Sequence, residues 1–440
     1  MERSVGQKHP QFGRFAEKPK ITELFPRKSP IIYKLLGVSA KENDNLRVLD
    51  EAPDDNLILV HYLEPTSEVD HIRGIIIDVE REIVVAESFP FTQEHLPTSD
   101  EVKSIPLGPD CEVTKAYEGT ILRVFRGNVT GNWYLSTHRK INGHRSRWAG
   151  PTFGEMFREI WGEKEDYDIY LAPKNCYVFL LSHGENRLVC HIPIPCIHHV
   201  QTFTPGPQGQ MVSVPRAKSF LKDHPNVKPQ EVLPITTTEA LVKEANSLRW
   251  EECSGLLITQ YSEGVPKGHD SEGVPKGHDS EGVPKGHDSE GRTIKNCWKL
   301  IPIEYHERRN IRGNEPNFRF RYLQLMKELG GQGTKQIREL FPEKKDLFDK
   351  VDQQLNEVPR FLEGLYRERY FEKNFVYLPR EIHVTLENTR SSYDPQNSLE
   401  ENLRENMGTS DARQLNAMIR FMLQDQTASQ ETSSPSRKEN

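Results

Sequence analysis

The apolar positions of this chain follow two rhythms. Over roughly the first three hundred residues they cluster or alternate in the manner of strands, and afterwards they recur at helical spacing. Three apolar runs lie between Leu57 and Phe91, at 57–62, 72–80 and 82–91, separated by polar breaks, and predict β-strands. Thr120 to Phe125 alternates, breaks at Gly127-Asn128 and Gly131-Asn132, and resumes at Trp133–Leu135, which predicts a β-hairpin. Pro151–Ile160 reads as a short amphipathic helix with Phe153, Met156, Phe157 and Ile160 on one face. Tyr177–Leu181 and Asn186–Val189 read as two strands around a turn. Thr236–Arg249 reads as a helix, and Cys253–Ile258 and Trp298–Tyr305 as strands. From Phe318 to Tyr377 the period is helical, carried by Tyr322, Leu323 and Met326 and later by Val351, Leu355, Leu362 and Leu365.

These patterns give an organisation. Residues 1–30 read as a flexible arm, 31–311 as a β-rich domain with a Pro/Gly/Gln-rich loop insertion at 201–235, and 312–385 as a helical domain. Residues 386–440 read as a largely disordered tail with one helix around Ala412–Leu423. The nonapeptide Ser-Glu-Gly-Val-Pro-Lys-Gly-His-Asp begins at Ser262, Ser271 and Ser280 and restarts at Ser289. Identical units point to recent tandem duplication, and one apolar residue per unit cannot bury enough to order itself. The reading is a loop over 262–291 joining two strands. Excising whole units is therefore expected to leave the melting temperature nearly unchanged, and a large fall in a thermal melt would show that the repeat packs on the body.

Composition narrows the function. A length of 440 residues allows more than one core, and 35% hydrophobic with 28% charged residues suits a soluble protein with polar tails. A net charge of −7 excludes a chain coated in positive charge, so any nucleic-acid site is a local patch. Six cysteines with no Cys-x-x-Cys pair suggest reduced thiols. Cys190, His191, Cys196, His198 and His199 cluster, but the Ile-Pro-Ile-Pro between them and the lack of a second matching pair argue against a metal site. No apolar run is long enough to span a bilayer and no signal peptide is visible, so a membrane is not an expected partner and the cytoplasm, of a host cell if the protein is viral, is the expected location. Oligomeric state is not legible.

The strongest candidate chemistry lies between Val113 and Trp148. Arg139, Lys140, His144, Arg145 and Arg147 stand among Trp133, Tyr134 and Trp148. Cations that neutralise phosphates, interleaved with rings that stack on bases, suit a single-stranded RNA or nucleotide surface. A solvated hairpin edge with a few core aromatics explains the same composition equally well.

Glu118-Gly119-Thr120 ahead of a hairpin resembles the first nucleotidyltransferase motif of ATP-dependent RNA ligases of the phage T4 RNA ligase 1 type, Lys-x-Asp-Gly-Ser. Further motifs follow in family order. Arg73-Gly74 resembles the Arg-Gly segment ahead of the nucleophile, and the run through Asn186-Arg187 resembles the third motif. Ser254-Gly255 resembles the fourth motif, Glu-Gly, and Thr293-Ile294-Lys295 the fifth, Lys-x-Lys. The Val113–Trp148 stretch is nearer still to uncharacterised proteins of large DNA viruses such as the iridoviruses.

The resemblance implies an α+β fold: an antiparallel, β-rich nucleotidyltransferase core of the ATP-grasp-like ligase kind over 31–311, followed by the helical domain. It implies ATP and Mg2+ as cofactors if the protein is active, and RNA as the partner. It also implies roles: Arg73, Gly119, Arg187 and Lys295 on the nucleotide, with Glu118 at the catalytic centre. Such ligases attack the ATP α-phosphate with a lysine amine, while acidic residues of the third and fourth motifs hold the metal ions. The nucleophile stands three residues before the motif glycine, where this chain has Ala116; Lys115 is one residue further out. A shift of one residue turns a strand side chain to the opposite face unless a bulge restores its aim. The third-motif acid is replaced within the apolar run Val178–Leu181, the fourth-motif acid by Ser254, and one fifth-motif lysine by Thr293. The expectation is an RNA-ligase-like fold that binds nucleotide or RNA ends with catalysis lost or altered. The alternatives are an active ligase using Lys115 and a scaffold protein that binds only protein.

Overall fold

A computed structural model describes residues 35–38, 45–206, 209–214, 224–262 and 292–433. The expected arm at 1–30 and the repeat beyond Ser262 lie outside the described residues. The chain divides into two compact units, one running through Arg187 and from His191 to Ile301, the other comprising Leu188–Cys190 and the residues from Pro302 onward.

The first unit opens with an antiparallel sheet of β1 (Leu46–Ala52), β2 (Leu57–Tyr62), β3 (Arg73–Asp78) and β4 (Ile83–Ala86). Leu57–Val60 and Ile75–Ile77 are all buried, so their unbroken apolar runs reflect a sheet covered on both faces. Next come β5 (Thr92–His95), β6 (Cys111–Ala116), β7 (Thr120–Arg126) and β8 (Trp133–Ser136), then helices α1 (Phe153–Trp161) and α2 (Tyr167–Tyr170). A capping box starts α1: the Thr152 side chain accepts from the Glu155 amide, and the Glu155 carboxylate from the Thr152 amide. After them follow β9 (Cys176–Ser182), β10 (Cys196–Pro205), β11 (Met211–Val214), β12 (Val227–Pro229), β13 (Val232–Leu233), α3 (Thr238–Ser247), β14 (Gly255–Tyr261) and β15 (Ile294–Leu300).

These strands form two more sheets, ordered β13-β6-β14-β15-β5 and β11-β10-β9-β7-β8 with β12 beside β10. Apart from β5–β15 and β10–β12, which are parallel, the pairings are antiparallel. Every residue of β9 is buried because both its faces carry core: Cys176, Val178 and Leu180 pack with the first sheet, and Tyr177, Phe179 and Leu181 pack under α1. The β7–β8 hairpin forms as expected, and its tip is held by the buried Asp55. That carboxylate accepts from the Val129 and Thr130 amides (2.9 and 2.8 Å), the Thr130 hydroxyl (2.5 Å) and the Tyr134 hydroxyl (2.6 Å).

The second unit is helical: α4 (Ile303–Arg312), α5 (Phe318–Leu340, broken at Gly330 where φ is 59°), α6 (Lys345–Tyr366), α7 (Arg380–Ser391), α8 (Leu399–Thr409) and α9 (Ala412–Ser433). The architecture is thus α+β, antiparallel sheets followed by helices.

Four stretches differ from the sequence expectation. Residues after Asn186 do not continue as a strand; Pro193 and Pro195 have no N–H to donate, and pairing with β9 begins only at Cys196. Within 201–235, Gln201, Thr202 and Phe203 are buried in β10, and Pro205 still pairs with Met211 of β11. The strand expected over 298–305 ends at Leu300, where Pro302 caps the N-terminus of α4. The tail expected over 386–440 with one helix around Ala412–Leu423 carries that helix within α9, and also the end of α7 and the whole of α8. Apolar residues are sparse in this stretch, which gives it the composition of a solvated tail, yet Leu415, Met418, Ile419 and Met422 recur at helical spacing and are all buried.

Candidate nucleotide and RNA site

Strand β6 decides where the first-motif residues point. Its pairing with β14 runs without a register shift from Cys111↔Gln260 to Ala116↔Gly255, so no bulge intervenes at Lys115. Lys115 shares a row with Leu256 and Leu300, and both of these are buried in the core that Leu241 and Ala245 of α3 complete. Its ammonium lies 3.0 Å from the Glu231 carboxylate, a hydrogen bond that pushes the lysine above its ordinary pKa. Ala116 belongs to the opposite face, in the alternate rows that carry Thr114, Thr259, Cys297 and Lys299.

From β6 the chain crosses to β7 in the other sheet through Tyr117, Glu118 and Gly119. Glu118 is buried, and its carbonyl accepts from the Ser182 hydroxyl. Gly119 has no room for a side chain, since a Cβ would stand 2.3 Å from the Leu181 carbonyl oxygen. Tyr117 stacks on His198 of β10, with ring centroids 4.2 Å apart. Burial first, then the Lys228 charge, pushes the His198 imidazole down to about 4. Neither Tyr117 nor Lys299 stood out in the sequence, and His198 did so only within a suspected metal cluster. Strand alternation from Ala116 was the available signal.

The other motifs fall unevenly around this crossing. Val178, Phe179, Leu180 and Leu181 are buried apolar residues, so β9 supplies no carboxylate. Ser254 is fully buried, and its hydroxyl donates to the Ala116 carbonyl at 2.6 Å. Asn186 donates to the Thr120 hydroxyl at 2.6 Å, which brings the Asn186-Arg187 segment to the start of β7, where Arg187 is buried. Lys295 lies at the other end of the β14–β15 hairpin, near Asp110 and about 17 Å along the strand from the Leu256–Leu300 row. Lys299 stands one pair from that row.

The basic stretch is exposed. Arg139, Lys140, Arg145 and Arg147 all reach solvent; Lys140 pairs with Asp50 at 3.5 Å. The aromatics are more committed. Trp133 donates to Asp168 at 3.1 Å and packs near Tyr167, Tyr134 is bound to Asp55 and stacked on Phe125, and Trp148 is half-buried.

Among the described residues no three His, Cys, Asp or Glu side chains converge in a way that could hold a metal ion. With Val178–Leu181 of β9 apolar and Ser254 bonded to the Ala116 carbonyl, the residues around Ala116 do not fit a metal pair of the ligase kind. Among the described residues no helix is long and apolar enough to cross a membrane.

No family model matches the chain. Among solved structures it is similar to an archaeal ATP-dependent RNA ligase, in form 1 (TM-score 0.40, 11% identity, 74% of this chain and 77% of that one) and in form 2 (TM-score 0.41, 11% identity, 75% and 81%). In sequence it is similar to the immediate-early protein ICP-46 homologs of invertebrate iridescent virus 3 and invertebrate iridescent virus 6, each 25% identical over 334 residues. Those matches cover 72% and 70% of this chain but only 64% and 65% of the relatives, so the chain spans somewhat less than two thirds of the iridovirus proteins it resembles.

Proposed function

We propose that this chain is an RNA-ligase-like protein that binds nucleotide or RNA ends and forms no lysine–AMP intermediate. The observation that carries this reading is the register of β6: the side chain at the nucleophile's place is the methyl of Ala116, and the neighbouring lysine is turned to the α3 face and held as an ammonium by Glu231. An amine must be unprotonated and in line to attack phosphorus, and Lys115 meets neither condition. Binding needs only shape and charge. Glu118, Arg73, Gly119, Arg187 and Lys295 are proposed to face the nucleotide, Lys299 joins them on the Ala116 face, and the exposed cations at 139–147 are proposed to follow an RNA backbone, with Trp133 and Trp148 beside it. ATP is a proposed ligand without turnover.

Replacing Arg139, Lys140, Arg145 and Arg147 together by glutamine is expected to weaken single-stranded RNA binding and to lower the slope of log affinity against log salt by about 0.7 for each phosphate no longer neutralised. Filter binding over a salt series reads both quantities. Unchanged affinity, or no RNA binding by the intact protein at low salt, would favour a protein-binding scaffold.

A further inference from the structure

We propose that Arg73, Arg139, His61 and His138 form a site for a phosphate group, the terminal phosphate of an RNA end or of a nucleoside polyphosphate. The proposal rests on the binding reading above and gives the phosphate a place. Its scaffold is a buried clamp. The Arg123 guanidinium, 1% exposed, donates to the carbonyls of Gly74 and of Thr137, the latter at 2.6 Å. Gly74 has φ +74°, and a Cβ there would stand 2.3 Å from the His138 carbonyl oxygen, so the two backbones touch. The clamp thereby sets Arg73, at the start of β3, beside His138 and Arg139, just past β8.

The fourth member comes from β2. His61 pairs with Arg73 in the β2–β3 register, is buried, and has its ring 5.7 Å from that of His138. Its Nδ1 lies 2.6 Å from the Tyr62 carbonyl oxygen, which accepts, so Nδ1 carries the proton. Among the described residues neither Arg73 nor Arg139 has an ion-pair partner, whereas Arg81, Arg126 and Lys140 pair with Asp78, Asp168 and Asp50. None of the described acids nearby is ion-paired with Arg73 or Arg139. Asp50 is taken by Lys140 and the Ile141 amide, Asp70 lies 4.0 Å from His71, and burial pushes the Glu87 carboxyl up to about 8 against the opposing pull of the Arg123 charge.

Two guanidiniums without an ion-pair partner among the described residues, beside two imidazoles, match a phosphate with several acceptor oxygens better than a single carboxylate. Burial and the Arg73 charge push His138 down to about 3, and burial followed by the Arg139 and Arg73 charges pushes His61 down as well. A bound phosphate offsets those charges and draws the midpoints up, so in acid solution the imidazoles protonate and become further donors to it, while at neutral pH the two guanidiniums carry the binding.

The test follows the histidine ring signals by NMR through pH titrations of the full chain with and without inorganic phosphate. Phosphate is expected to raise the His138 midpoint by about 1–3 units, the range an adjacent opposite charge produces. Arg139→Gln, whose side chain is exposed and has no ion pair to break, is expected to weaken phosphate binding about tenfold or more, and Arg73→Gln likewise. A midpoint unmoved at high phosphate, or a full shift retained in Arg139→Gln, overturns the site. Repeating the titration with 5′-phosphorylated against 5′-hydroxyl oligoribonucleotide, and with ATP against adenosine, assigns the source. A shift with inorganic phosphate alone, and with neither RNA nor ATP, supports the anion site while refuting the nucleotide and RNA-end reading.

Discussion

Incubated with α-labelled ATP and Mg2+, the protein is expected to carry no covalent label, and Lys115→Ala is expected to be indistinguishable from the intact chain. Three absences act together. The position matching the ligase nucleophile is Ala116, β9 carries no carboxylate, and the position matching the fourth-motif acid is a serine bonded to the Ala116 carbonyl. Removing one preorganised charge-stabilising group typically costs ~10²–10³ in rate, so the combined loss falls below detection even though such losses are not multiplicative. The pairing of Lys115 with Glu231 adds to the barrier, because the raised lysine pKa keeps the amine protonated throughout the neutral range. A labelled adduct on the intact protein that vanishes in Lys115→Ala would show that β6 changes register when ATP binds and would sink the non-catalytic reading.

The largest stability effect is expected at Asp55. Its carboxylate gathers four donors from the β7–β8 loop and Tyr134, and Asp55→Ala leaves them without their acceptor inside the fold. Hydrogen bonds to a charged acceptor are worth about 1.5–3 kcal/mol each but overlap here, so a loss of roughly 3–5 kcal/mol is expected in urea unfolding of the first unit. Asp55→Asn is expected to recover little, since its amide sets a donor against donors. A loss below about 1 kcal/mol would show that water replaces the carboxylate. The pH dependence has a definite sign. Burial by itself raises the Asp55 pKa, but the bonds from the Thr130 and Tyr134 hydroxyls and from the Thr130 and Val129 amides outweigh it and leave the folded value below the ordinary 3.8. The stabilisation is therefore fully present above the unfolded value and is lost as pH falls through the folded one. In Asp55→Ala the stability of the first unit should consequently change less between neutral and strongly acid pH than in the intact protein.

Elements with local signals were legible in the chain alone. Alternation and Gly-Asn pairs specified the β7–β8 hairpin, unbroken apolar runs specified β2 and β3, and apolar spacing specified α1. The alanine at the nucleophile's place was equally legible, because finding it needs only a count back from Gly119. Whether Lys115 could be re-aimed was not, since a bulge depends on pairing with a strand about 140 residues away, and only the continuous β6–β14 register answered it. The end of α7 and the whole of α8 were also hidden, although the helix around Ala412–Leu423 was read, because sparse apolar residues become a core only when neighbouring helices cover them. The phosphate site owes most to tertiary structure. His61, Arg73 and His138-Arg139 are separated by 12 to 78 positions and share no pattern. They meet because one buried guanidinium, Arg123, which reads in sequence as just another polar position of an alternating strand, finds its acceptors in the two backbones that flank them.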